Sequence, residues 1–202
     1  MNEAFHPGHF GPETTQAADG MPRRPWTIAE IEAMVAAGII DRHERFELIG
    51  GEVVPMSPKG ARHEMVKVDL NEHLQRLGLT QLRIVPETTL RLDDKSFLEP
   101  DFIVFPRTVP FEDLRGYHVL LAIEVADTSL RYDLGRKIGV YAAFGIPEVW
   151  VIDANTLATR VHRRLGAEGY SEIADIAHDG LLEARRAPSV SVRLADLGLT
   201  PL

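Results

Sequence analysis

The chain has 202 residues, 45% of them apolar and 26% charged, a length and composition that suit a folded domain with a sizeable buried core. The lack of cysteine excludes a disulfide framework and thiolate metal sites, and no apolar run approaches the ~20 residues of a membrane-spanning helix. Thirty Asp and Glu against 22 Lys and Arg leave a net charge of −8, which excludes an overall basic nucleic-acid-binding surface; such binding would need a local patch, metal ions or a partner.

Residues 1–24, rich in Gly, Pro, His and Thr and without apolar periodicity, read as a disordered leader, and 25–202 as one domain. No charged-then-apolar signal segment stands near the start, so the expected compartment is the cytoplasm. Thr27 and Glu30 form a capping-box pattern, and Ile28, Ile31, Met34 and Val35 recur at a spacing that predicts a helix closed by Gly38. Residues 46–49, Gly50-Gly51 and 52–54 read as a hairpin around a two-residue turn. Ser57-Pro58 interrupts the pattern. A second amphipathic helix is predicted over 62–77, with Val66, Leu70, Leu74 and Leu77 on one stripe and Gly78 beyond it. Strands over 84–92 and 100–105 flank a turn at 93–96. After a loop or short helical excursion over 106–118 comes the most apolar strand, 119–126, followed by a helix over 132–144. Residues 149–152 and 158–163 form another hairpin, and strand pieces and turns complete the chain. This order implies an α/β fold, a mixed sheet with helices against it.

Side chains alternate across a strand, so Glu124 shares a face with Ala122 and Ala126, while Leu121, Ile123 and Val125 take the other. Two small neighbours leave room around the carboxylate for an ion or a phosphate. Pro100 lacks an N–H and sets Asp101 at an irregular strand start. Carboxylates in such apolar surroundings are costly without a partner or a metal. If the strands are neighbours, the two acids converge on one hard cation, Mg²⁺ or Mn²⁺, as phosphodiester cleavage would use. Asp133, Lys137 and Tyr141, spaced by four, share a helix stripe, from which Lys137 would orient an attacking water or offset transition-state charge. His63-Glu64 does not open a zinc-protease motif, because Lys67 stands where its second histidine belongs; His63 remains an accessory candidate. Arg160, His162, Arg163 and Arg164, with Arg131 and Arg136, form a candidate track for a phosphate backbone.

Phe46-Glu-Leu-Ile-Gly-Gly-Glu52, Ser57-Pro58 with His63, Pro100-Asp101, Glu124-Val125, and Asp133-Leu-Gly-Arg-Lys137 with Tyr141 and Gly145-Ile-Pro-Glu148 occur in a fixed order. In that order they resemble the Uma-type restriction endonucleases of the PD-(D/E)XK nuclease superfamily, from about Trp26 to beyond Asp153. The resemblance implies a restriction-endonuclease-like fold and Mg²⁺-dependent endonuclease activity on nucleic acid, expected to be double-stranded DNA. By position it makes Asp101, Glu124 and the Val125 carbonyl metal ligands, and Glu47 the upstream acid. The superfamily often carries its lysine two residues after the second acid. Here that position is Ala126, and Lys137 is the natural replacement. Ala126-Asp-Thr-Ser129 departs from the family's usual Ser-Pro-Ser segment. Many nucleases of this fold are dimers, which makes a homodimer an expectation. The rival reading is a catalytically silent interaction module, motivated by Ala126 and the acidic net charge.

Overall fold

The computed structural model of the chain describes residues 23–202. The leader expected over 1–24 lies outside them except for Arg23 and Arg24, which are engaged rather than loose: Arg23 ion-pairs with Glu52, and the Arg24 guanidinium lies 4.3 Å from the Trp26 ring centroid. Helix α1 (Ile28–Ala36) starts on the expected capping box, with Thr27 and Glu30 each satisfying the other's backbone N–H. Strands β1 (Phe46–Ile49) and β2 (Glu52–Pro55) form the expected hairpin. Gly50 and Gly51 take φ of 59° and 84°, the left-handed geometry that a tight hairpin turn demands.

Helix α2 (Ala61–Arg76) is followed by β3 (Leu82–Pro86), β4 (Leu90–Asp93), β5 (Ser96–Leu98), β6 (Phe102–Pro106) and β7 (Leu121–Ala126). The strand expected over 84–92 is therefore two strands. Pro86 cannot donate to a ladder, and Glu87 has a left-handed φ of 45°, so the chain turns and leaves its sheet. A short helix α3 (Leu130–Tyr132), a π-helical turn (Asp133–Lys137) and α4 (Ile138–Ala143) replace the single helix expected over 132–144. Then come β8 (Val149–Asp153), β9 (Thr159–Gly166), β10 (Gly169–Ile176), β11 (Leu182–Ala184) and β12 (Ala187–Val192).

The expected mixed sheet is six-stranded, β10-β9-β8-β7-β6-β3, and beside it stand a four-stranded sheet, β2-β1-β5-β4, and a β11–β12 hairpin. Within the large sheet β7 and β8 are parallel, joined by the crossover through α3 and α4 that such a pair requires. On one face α2 buries Val66, Leu70 and Leu74 against Phe102, Val104, Leu121, Ile123 and Trp150. The opposite face packs Ile103, Phe105, Ala122, Val149 and Val151 against Val140 and Tyr141 of α4 and Ile49, Leu90 and Leu98 of the smaller sheet. Burial on both faces explains the unbroken apolar run of β7. Helix α1 closes the smaller sheet's outer side over Phe46 and Leu48.

A Cβ on Gly51 would lie 2.5 Å from the Pro25 Cβ and 2.6 Å from the Trp26 nitrogen, besides straining a positive φ. Gly51→Ala is expected to cost about 1–3 kcal/mol. A urea melt should show the midpoint falling with an unchanged slope.

Candidate active site

Besides the long connection from β2 through α2 to β3, the chain passes between the two sheets at two short crossings, Glu87 between β3 and β4, and Glu99-Pro100-Asp101 between β5 and β6. The crossings are tied together, with the Glu87 N–H donating to the Asp101 carbonyl at 3.1 Å. At this seam lies a cavity of about 270 Å³, walled by both sheets, the 56–60 link and the segment from Asp127 to Lys137.

The ladder between β6 and β7 pairs Phe102 with Ile123 and Ile103 with Ala122, a register that sets Asp101 across from Glu124 on one face. Both line the cavity. Asp101 lies one residue before β6, where no ladder partner remains, so the Val125 N–H donates to its Oδ2 at 2.8 Å. His63 Nε2 is 3.1 Å from the same oxygen, and Lys59 Nζ donates to Oδ1 at 2.9 Å. Burial alone would raise this carboxyl, but the His63 contact, the Lys59 charge and the Val125 N–H outweigh it and hold Asp101 below its ordinary value.

Lys137 is the hub of the opposite wall. Its ammonium lies 2.9 Å from Glu124 Oε1, 3.0 Å from Glu47 Oε1 and 3.7 Å from Asp133 Oδ1, with the side chain 5% exposed. Residues four apart drift around an α-helix. The wider π turn offsets that drift, so Asp133, Lys137 and Tyr141 all meet the same cluster. Tyr141 donates to Glu124, Tyr132 to Glu47 Oε2 at 2.9 Å, Ser129 to Asp133, and the Glu99 N–H to Glu47 Oε1 at 3.0 Å. Glu47 faces inward because β1 alternates, sending Phe46 and Leu48 to α1 and Glu47 and Ile49 to the seam.

Three carboxylates share one ammonium, and the charges show it. Burial pushes Glu124 up to about 8, with Lys137 opposing the shift and Asp133, Asp101 and Glu47 adding to it. Lys137 is raised well above its ordinary value, the surrounding acids overcoming the cost of burial. It is an ammonium at any physiological pH. Asp133 too is raised, chiefly by burial.

A family model described as Uma2, "Putative restriction endonuclease", matches residues 29–195. The chain belongs to the Uma2 family. No curated protein matches the sequence. The crystal structure of a "putative nuclease belonging to DUF820" from Anabaena variabilis ATCC 29413 is similar, with a TM-score of 0.62 at 17% identity, covering 86% of this chain and 97% of that one. The two share a restriction-endonuclease-like fold. The type IIG restriction endonuclease BpuSI aligns with a TM-score of 0.37 at 14% identity, covering 62% of this chain and 14% of its own.

Asp101, Glu124, Lys137 and Glu47, the four residues singled out in the sequence of this Uma2 chain, all line one cavity, with His63 and Asp133 beside them and Tyr141 behind Glu124. Four arginines of the candidate track are engaged with acids of the protein. Arg160 is held by Asp175, Arg163 by Glu148, Arg164 by Glu172 and Arg136 by Glu52. Sequence reasoning missed Lys59, Lys67, Glu87 and Tyr132. Glu87 Oε1 accepts from Lys59 at 2.6 Å and from Lys67 at 2.8 Å, and the two lysines hold its carboxyl down, to about 2. Lys67 left one signal: it sits one turn beyond His63 within the buried stripe of α2.

Glu124 is protonated in the folded state up to about pH 8 but ionises near 4.5 when unfolded, so its contribution to stability falls as pH rises through that window. Without divalent ions, the melting temperature of Glu124→Gln relative to wild type should therefore climb from pH 5 to pH 8, by about 3 °C or more. His162, held below its ordinary value by burial, contributes with the opposite sign in both proteins and cancels from this difference. A flat difference in scanning fluorimetry would place the proton elsewhere.

Proposed function

We propose that this chain is a divalent-metal-dependent endonuclease that hydrolyses phosphodiester bonds in double-stranded DNA, with Asp101 and Glu124 as metal ligands. One observation carries the reading. The cavity wall holds six acids, Glu47, Glu99, Asp101, Glu124, Asp127 and Asp133, against two lysines, Lys59 and Lys137. Glu99 is paired with Arg45 outside it, but the remainder is still short of positive charge. A site in that state repels phosphate unless a cation of higher charge enters.

The donor set fits such an ion. Asp101 and Glu124 offer carboxylate oxygens from one sheet face, and Val125, beyond the last ladder pair of β6 and β7, adds a main-chain carbonyl. Among the described residues no three histidines or carboxylates gather into a ready-made metal cage. That suits Mg²⁺ or Mn²⁺, which take one or two carboxylates and leave other positions to water and phosphate oxygens. Bound there, the cation would supply activation of water and charge neutralisation at the phosphate.

The chain's own groups do the rest. Lys137, kept as an ammonium, is a donor and not a general base: it orients the attacking water and offsets charge developing on the phosphate. Glu47 and Asp133 hold that ammonium over Glu124, and Tyr132 and Tyr141 fix the two glutamates in turn. The missing lysine at position 126, which favoured a silent module, loses its force. Ala126 packs into the core under α4, and Lys137 brings its ammonium to Glu124 from across the cavity.

Purified protein is expected to nick or cut plasmid DNA with Mg²⁺ or Mn²⁺ and not with EDTA. Asp101→Asn and Glu124→Gln should abolish cutting, while Lys137→Met, checked for folding by circular dichroism, should lose about 100-fold or more. Cleavage that survives Glu124→Gln, or no cleavage by wild type across metals and salt, would overturn the assignment.

A further inference from the structure

Asp101 divides its two oxygens between two kinds of partner. Oδ2 is taken by the Val125 N–H and His63, both set by regular secondary structure. Oδ1 is left to the cavity side of the site, and it accepts from the Lys59 ammonium at 2.9 Å, so Lys59 holds the oxygen that a metal ion would need. Lys59 differs from Lys137 in its mounting. Lys137 grows from a helical turn, contacts three acids and is 5% exposed, whereas Lys59 stands in the irregular 56–60 link and is 14% exposed. It has a second anchor outside the acid pair, Glu87 Oε1 at 2.6 Å, itself fixed by Lys67 at 2.8 Å.

An ammonium and a divalent ion compete for one carboxylate oxygen, because the two cations repel each other at such a distance. We propose that Lys59 is a displaceable counter-ion of Asp101: an arriving divalent cation takes its place, and the freed ammonium, still tethered by Glu87, becomes a contact for a phosphate of the substrate. The inference rests on the metal-dependent reading above and adds a substrate-binding residue to it. It couples the two ligands. Without metal, Lys59 neutralises Asp101; with metal, the same charge faces the cavity mouth, where an incoming nucleic-acid backbone supplies the anion it has lost.

The test uses the full chain, free of nucleic acid, with Lys59→Met and Lys59→Gln as parallel variants that remove the charge with different polarity. Calorimetric titration with Mn²⁺ should show the dissociation constant falling about tenfold in both variants, since the competing charge is gone. Anisotropy of a labelled DNA duplex should show both binding about tenfold more weakly than wild type in Ca²⁺, and equally to wild type in EDTA, where Lys59 still sits on Asp101. An unchanged or raised Mn²⁺ dissociation constant in both variants overturns the proposal while leaving the metal site intact. So does duplex affinity in Ca²⁺ that matches wild type. Failure of wild type and variants alike to take up Mn²⁺ overturns the metal reading itself.

Discussion

The Lys137 ammonium is the interaction on which the arrangement depends. It draws Glu47 from the smaller sheet, Glu124 from the larger one and Asp133 from its own π turn to a single point in the interior. A buried charge of this kind survives only because it is surrounded by counter-charge and hydrogen-bond donors, and removing any one of them leaves the others uncompensated. The apolar contacts between the sheets bring the walls together; the ammonium sets how they meet.

The same cluster carries more negative charge than two lysines offset, and the fold tolerates the excess through devices visible in the geometry. Burial raises Glu124 toward its neutral form, Asp101 accepts a main-chain N–H, and Tyr132 and Tyr141 donate to the acids they face. Each device is a local fix for a site whose ground state is not its most stable design, a pattern expected where binding and chemistry take precedence over stability. An acidic protein can still meet a polyanion under these conditions. On the metal-dependent reading proposed above, the positive charge needed at a phosphate would come from the cation that the acidic cavity draws in, not from a basic surface. The arginines of β9 are each paired with an acid of the protein.

The seam explains why the site lies where it does. Besides the passage through α2, two short chain crossings, at Glu87 and at Asp101, feed strands alternately into the two sheets. Crossings break ladders, and broken ladders free backbone donors and turn side chains out of the pleat. Asp101 borrows its N–H donor from Val125 for this reason, and the left-handed Glu87 presents its carboxylate to two lysines for the same one.

Some of this was written plainly in the chain. The capping box of α1, the Gly50-Gly51 hairpin, the stripe of α2 and the face that Glu124 shares with Ala122 and Ala126 follow from caps, turn chemistry and side-chain periodicity, which depend only on near neighbours in sequence. The order of acids and lysine could be read for the same reason. What only the tertiary structure decided was every partnership across long sequence separation. Residues 84–92 look like one strand because their alternation continues through Glu87; Pro86 weakens the ladder there, and the pairing of each half with a different sheet parts them. Lys59, Lys67 and Glu87 carry no local mark of their pairing, since an ion pair between residues 20 or 28 positions apart is made by folding and not by spacing. Periodicity fixes which way a side chain points; what it finds there is set by whichever element the core brings opposite.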